Sequence, residues 1–232
     1  KENGPLDYEV AARYIAQAAE GLQHAHDADL VHRDIKPANI MLDEKGRAKL
    51  ADLGFAKRLH DASSSTTLSG YSLGTPTYMA PEQALDSRKV DVRSDIYALG
   101  ATFYHMVTGE APYPTNNAVE LIQRHLESPV PDPLKVNPSI PVGIAATIQR
   151  MMAKSPSDRF QTPAELIHEL RRQKMRLKGV REQFLGASKA ISRAFRYHLS
   201  PGQQAMIYAI VIATILGIAG ISAATAWFFA TR

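Results

Sequence analysis

Apolar residues between positions 6 and 26 recur at Leu6, Val10, Ile15, Ala18, Ala19 and Leu22, the spacing of one helical face, with Gly4-Pro5 as a start signal. The rhythm then shortens. Leu30-Val31, Ile40-Met41-Leu42 and Ala48-Lys49-Leu50 read as short strands, and Asp43-Glu44-Lys45-Gly46 reads as the turn of a hairpin between the last two. Residues 60–74, rich in Ser, Thr and Gly, predict a flexible loop. A mostly apolar run over 93–108 predicts a buried helix that stops at Gly109. Further helices are predicted over 116–127, 140–153 and 163–178. The five prolines between 128 and 141 predict an irregular connector. No internal repeat is present.

The last apolar stretch differs in kind. Residues 205–230 contain no charged side chain. At the rise of an α-helix they would extend roughly 39 Å, more than the ~30 Å hydrocarbon layer of a bilayer, so the expectation is one transmembrane helix. Tyr208 and Trp227 lie near its ends, where aromatic rings suit the interface. Small residues recur every four positions at Ala209, Ala213 and Gly217, and again at Gly220 and Ala224. That spacing admits close helix approach and a homodimer, although small residues are common in any membrane helix.

Composition sharpens the picture in two places. The net charge of +4 is not spread evenly: nine Lys or Arg fall between Arg171 and Leu199 against the single acid Glu182. That stretch is +8, so the remainder is −4. A cationic segment beside a membrane span points to anionic lipid over 171–199 and not to nucleic acid. It also places residues 1–200 on the cytoplasmic side of a cell membrane, by the positive-inside rule. With no cysteine, disulfides and thiolate metal sites are excluded. The chain opens on Lys1, and residues 1–30 lack a basic stretch followed by an apolar run, so a fragment without a secretory signal is expected.

The densest chemistry is His32-Arg33-Asp34-Ile35-Lys36-Pro37-Ala38-Asn39, followed thirteen residues after Asn39 by Asp52-Leu53-Gly54. Phosphoryl transfer moves a highly anionic group and depends on positioning and charge neutralisation. Asn39 and Asp52 offer the oxygen ligands that magnesium prefers. Asp34 can meet an attacking hydroxyl, and Lys36 can neutralise the moving phosphate as a compact charge.

These segments resemble the protein-kinase superfamily, together with Ala80-Pro81-Glu82 inside Gly74–Gln83, with Asp91–Gly100, and with Ser157-Asp158-Arg159-Phe160. The likeness is greatest to bacterial membrane-anchored, receptor-like serine/threonine kinases of the eukaryotic-like (Hanks) type. The resemblance implies a kinase C-terminal lobe over 1–175, mainly α with a small β-ribbon, then a basic juxtamembrane linker over 176–204 and the transmembrane helix over 205–230. It implies transfer of the ATP γ-phosphate to protein Ser or Thr hydroxyls with one or two Mg2+ ions. Asp34 and Lys36 would be catalytic, Asn39 and Asp52 would hold metal, and Met41 would touch adenine beside Lys36, Asn39 and Asp52. Thr75 would serve substrate docking and, with Lys36, mark Ser/Thr specificity. Arg33 would pair with a phosphate on the activation loop, whose candidate sites are Ser63, Ser64, Ser65, Thr66, Thr67, Ser69 and Ser72. His32 would pack in the core, Asp95 would accept backbone hydrogen bonds from the catalytic loop, and Glu82 and Arg159 would form a buried ion pair.

Two departures qualify the resemblance. Leu53 replaces the usual Phe, an apolar exchange that leaves the packing role intact. No glycine-rich loop, strand lysine or helix glutamate precedes the first helix, so the N-terminal lobe is expected to be missing and the activity of the fragment alone is in doubt. The alternatives are a pseudokinase or membrane-tethered scaffold, which the presence of Asp34, Lys36, Asn39 and Asp52 disfavours, and a small-molecule kinase of the aminoglycoside type, which would lack Gly74–Gln83.

Overall fold

In the computed structural model, residues 4–52, 57–58, 76–194, 202 and 206 are described. The chain divides into two compact units, Lys1–Gln173 and Lys174–Arg232.

The first unit is mainly helical. Helix α1, Tyr8–Asp27, starts where the Asp7 carboxylate accepts the N–H groups of Glu9 and Val10 at 2.8 and 3.2 Å. It buries Ala11, Ile15, Ala18, Ala19 and Leu22, largely the face read from the sequence. Strands β1, Leu30–Val31, and β2, Ile40–Leu42, flank the loop that carries the chemistry. β2 pairs antiparallel with β3, Ala48–Leu50, in the register Ile40↔Leu50, Met41↔Lys49 and Leu42↔Ala48. The turn between them is held by Asp43, whose carboxylate accepts the N–H groups of Lys45 and Arg47, and Gly46 supplies the left-handed residue at φ +69°. β1 pairs with β4, Lys57–Arg58.

Further along the chain, α2 covers Pro81–Leu85 and α3 covers Val92–Thr108. α3 is buried almost all round, as a helix at the centre of a domain must be. Asp91 caps its start by accepting from the Arg93 N–H, and Gly109, at φ +82°, ends it. α1 packs on one side of α3. On another lies α6, Val142–Met151, so close at Gly100 that a Cβ there would sit 2.6 Å from Met151 Cβ. α4, Ala118–Glu127, and the short α5, Pro133–Val136, precede α6. The proline-rich stretch is therefore not wholly irregular: Asp132 caps Pro133 as the first residue of one helical turn, a position where proline fits. Helix α7 spans Pro163–Ala194, and its early residues Leu166, Ile167, Leu170 and Gln173 are buried.

In the second unit the described part of α7 runs well past the expected end at 178. Residues 174–194 hold no proline and many good helix formers, and these carry the helix through Gly179 and Gly186. Met175 and Leu185 are exposed there, and Lys178 lies 3.8 Å from Glu182. Among the described residues no helix is long and apolar enough to cross a membrane. The stretch 205–230 lies outside them apart from Met206. So do Leu53, Gly54, Thr75 and the loop hydroxyls from Ser63 to Ser72.

Candidate active site

The loop between β1 and β2 turns sharply, with Arg33 at φ +69°, a conformation costly for a residue with a side chain. Two elements over-determine it. From the first turn of α3, the buried Asp95 carboxylate accepts the His32 N–H on Oδ2 and the Arg33 N–H on Oδ1, both at 2.8 Å. From α2, the Gln83 side-chain amide donates to the Arg33 carbonyl at 3.1 Å. Burial pushes the Asp95 carboxyl up to about 6, against the pull of these two N–H groups and of neighbouring His32 and Arg33.

His32 is fully buried. Its Nδ1 faces the Asp34 N–H at 3.4 Å and its Nε2 faces the Ala51 carbonyl at 3.2 Å. A carbonyl can only accept, so Nε2 carries the proton and neither ring nitrogen is left for a metal.

The Asp34 carboxylate, 6% exposed, is the meeting point of the loop. Its Oδ2 receives Lys36 Nζ at 2.7 Å and Asn39 Nδ2 at 3.1 Å, while the same Asn39 Nδ2 donates to the Asp34 carbonyl at 2.8 Å. Among the described residues these bonds spare Oδ1 of Asp34 and, because the amide nitrogen is anchored, Oδ1 of Asn39. The Ala51 N–H donates to the Asn39 carbonyl at 2.9 Å. Ala51 is thus tied to both His32 and Asn39, and Asp52 follows it directly with φ +64° and an exposed side chain. The backbone therefore brings Asp34, Lys36, Asn39 and Asp52 into one neighbourhood. Met41, on β2, is 60% exposed.

An amide oxygen and a carboxylate fit magnesium, which takes one or two protein oxygens and fills the rest of its shell with substrate phosphate and water. Among the described residues no group of three His, Cys, Asp or Glu is assembled for a metal, and this ligand set does not require one.

Below the loop, the 3-10 turn Pro76–Tyr78 leads into Met79, Ala80 and α2. Glu82 is bound by the fully buried Arg159 through Nη1–Oε1 at 2.7 Å and Nη2–Oε2 at 2.9 Å. The other donors of Arg159 meet the carbonyls of Ala153, Lys154 and Arg93, so every N–H of the guanidinium is used. Burial works to raise the Glu82 carboxyl, but the Arg159 hydrogen bonds and charge, with the Ser94 hydroxyl, take it below the usual range.

Sequence reading missed Gln83, fifty positions from its partner Arg33, and it missed His105, His125 and Lys154 around the Pro76–Tyr78 turn. Helical periodicity marks Gln83, His105 and His125 only as face positions, Lys154 falls in the bend after α6, and neither pattern holds a signal for what these residues touch.

A helical lobe in which a buried aspartate, a lysine and an asparagine share one strained loop, above a buried glutamate–arginine pair, has the architecture of a protein kinase large lobe. The chain belongs to the protein kinase domain family, which matches it over residues 1–170, and to the eukaryotic-like serine/threonine branch. It is 34% identical over 203 residues to a probable serine/threonine-protein kinase of Corynebacterium efficiens, covering 86% of this chain and 29% of that protein. It is 39% identical over 168 residues to the DNA damage-responsive serine/threonine-protein kinase RqkA of Deinococcus radiodurans, covering 71% of this chain and 24% of that protein. It is 36% identical over 168 residues to serine/threonine-protein kinase PknB of Mycobacterium tuberculosis, covering 72% of this chain and 26% of that protein. The chain thus spans less than a third of each of these relatives.

Proposed function

We propose that the protein carrying this chain transfers the γ-phosphate of ATP to Ser or Thr hydroxyls of protein substrates. The observation that carries this reading is the Asp34 carboxylate held by Lys36 and Asn39 on one oxygen, with the other oxygen spared by the described residues. Asp34 orients the substrate hydroxyl and takes its proton as the oxygen attacks phosphorus. Lys36, already beside Asp34, neutralises charge on the moving phosphate. Asn39 and Asp52 would hold magnesium, which when bound supplies charge neutralisation on the ATP phosphates. Met41 contributes an exposed apolar surface for the adenine ring, and Thr75 contributes to substrate docking. The decisive experiment compares radiolabel incorporation into a Ser/Thr-containing protein by the whole protein and by its Asp34→Asn variant. A loss of about 10²–10⁴-fold is expected, and equal incorporation would end this reading.

The reading extends to regulation and place. Arg33 Nε is buried and has no hydrogen-bond partner among the described residues, which suits a phosphate on one of the hydroxyls between Ser63 and Ser72. The domain division is a kinase lobe over 1–175, a basic juxtamembrane segment over 176–204 and a single-pass span over 205–230, in a cell membrane with the lobe cytoplasmic. Its support is the uncharged stretch at 205–230 and the basic residues of 171–199, suited to anionic lipid. The small residues of the span suit a homodimer. Deletion of 200–232 should release the protein from membranes, and continued sedimentation with vesicles at high salt would contradict the anchor.

A further inference from the structure

The turn Pro76–Tyr78 is tethered at two consecutive residues by two histidines from different helices. The Thr77 carbonyl faces Nε2 of His125, on α4, at 3.1 Å. The Tyr78 hydroxyl meets Nδ1 of His105, on α3, at 2.7 Å, and the two rings stack with centroids 6.0 Å apart and planes 14° from parallel. His125 is 2% exposed, and its second nitrogen, Nδ1, meets the Tyr97 hydroxyl at 2.8 Å. Because the Thr77 oxygen can only accept, Nε2 of His125 must donate and Nδ1 must accept from Tyr97. The ring therefore has one neutral tautomer in which both nitrogens are used.

The surroundings preserve that form. Burial, and then the nearby charge of Lys154, lower His125 to about 4, against the Thr77 hydrogen bond that favours the charged ring. The Lys154 ammonium donates to the Tyr113 hydroxyl and to the carbonyls of Arg124 and His125, so it holds the end of α4 at the level of the turn. Tyr113 in turn sets its ring edge-on to His125, with centroids 4.9 Å apart. His105 is likewise lowered by burial, with Glu110 acting against it.

An apolar side chain would fill the space at 125 equally well. It would leave the Thr77 carbonyl without its donor and take one of its hydrogen-bond partners from the Tyr97 hydroxyl, and a buried polar group without a partner is destabilising. Two anchors on adjacent residues constrain the turn in height and in rotation together, which one anchor cannot do. The turn leads straight into Met79 and Ala80, next to the Arg33 loop that Gln83 also grips.

We propose that His105 and His125 are positioning residues that fix the turn Pro76–Tyr78 as a platform for peptide substrates. This rests on the kinase reading above for the identity of the substrate, whereas the tether itself does not. Neither histidine touches Asp34 or Lys36, so the effect should fall on peptide binding.

The test has two arms. In the first, amide hydrogen exchange is followed on the full chain. His125→Phe and His105→Leu should speed exchange over 76–85 by about tenfold, the equivalent of one hydrogen bond, while 92–104 stays protected. His125→Gln, whose amide can still donate to Thr77, should restore most of the protection. Unchanged exchange over 76–85 overturns the tether, and loosening spread equally over 92–104 shows a merely structural role and overturns the proposal too. In the second arm, peptide phosphorylation by the whole protein should show KM raised about tenfold by His125→Phe and Tyr78→Phe, kcat within about threefold, and near-normal KM for His125→Gln. A fall in kcat at constant KM overturns the positioning role. Absence of Asp34-dependent phosphorylation in the unsubstituted protein removes the kinase reading and the substrate role with it, and the exchange arm then still decides the tether.

Discussion

Arg159 and Glu82, seventy-seven positions apart, meet through two parallel hydrogen bonds of 2.7 and 2.9 Å at a place where the guanidinium has no exposure to solvent. The pair ties α2, which follows the Pro76–Tyr78 turn, to the segment before α7. Through the Arg93 carbonyl it also reaches the first turn of α3. A charge so deeply buried is tolerable only while its partner and its other acceptors stay in place.

Removal of one member should therefore be severe. Arg159→Met is expected to lower unfolding stability by about 3–5 kcal/mol, because it strands the Glu82 carboxylate. The double variant Glu82→Leu with Arg159→Met should lose clearly less than the sum of the two single changes. Urea unfolding of the four proteins measures this, and strict additivity would show that the two groups do not depend on each other.

Acid should act through His125. The unfolded chain takes up a proton there below its ordinary value of 6.5, whereas the folded chain does so only near 4. The unfolded state thus binds more protons between those values, so the contribution of His125 is present above about 6.5 and is lost as pH falls toward 4. The stability difference between the native sequence and His125→Gln should change by about 2–3 kcal/mol in disfavour of the native sequence between pH 7.5 and 4.5. Asp95, raised to about 6, works in the opposite direction over the same range, since its folded form gains a proton first. Both proteins keep Asp95, so the comparison cancels it. A pH-independent difference would show that His125 is not held neutral.

Asp95→Asn should loosen the loop between β1 and β2. A carboxylate offers an acceptor to each of the His32 and Arg33 N–H groups, whereas an amide offers one acceptor and turns a donor toward the other. The buried N–H left over is expected to lower stability by about 1–3 kcal/mol, and the strained Arg33 backbone should relax. Unfolding curves together with amide exchange over 31–35 check this. Native-like protection there would mean that the left-handed turn stands without Asp95.

Two glycines should respond differently to alanine. At Gly100 an added Cβ would meet Met151 at its Cβ and, 3.4 Å away, its backbone carbon, so helices α3 and α6 would have to separate. A loss of about 1–3 kcal/mol is expected in spite of the better helix propensity. At Gly143 the obstacle is the amide end of the Gln173 side chain. That end can turn aside, so Gly143→Ala should stay within about 1 kcal/mol of the native protein. Thermal unfolding of both variants distinguishes them, and equal losses would refute the contrast.

Much of this molecule was legible in the chain itself. The strands at Leu30–Val31, Ile40–Leu42 and Ala48–Leu50 and the stop at Gly109 fall where the pattern put them, because alternation, turn chemistry and a left-handed cap act within a few residues. Asp34, Lys36 and Asn39 stand within six positions, so one short loop suffices to gather them. The short helix Pro81–Leu85 and the turn inside the proline-rich connector were not legible. Elements of one turn have almost no periodicity, and they exist here because neighbours cover them.

Which distant groups meet was fixed by packing across the lobe. Gln83 on the Arg33 carbonyl, His125 on the Thr77 carbonyl and Lys154 on the end of α4 are unions of residues 29 to 50 positions apart. Local preference selects elements because its energies depend on neighbours in the chain. The choice of a partner across the lobe depends on how helices pack around α3 and on the penalty for burying any polar group alone, and that is settled only once the lobe has closed.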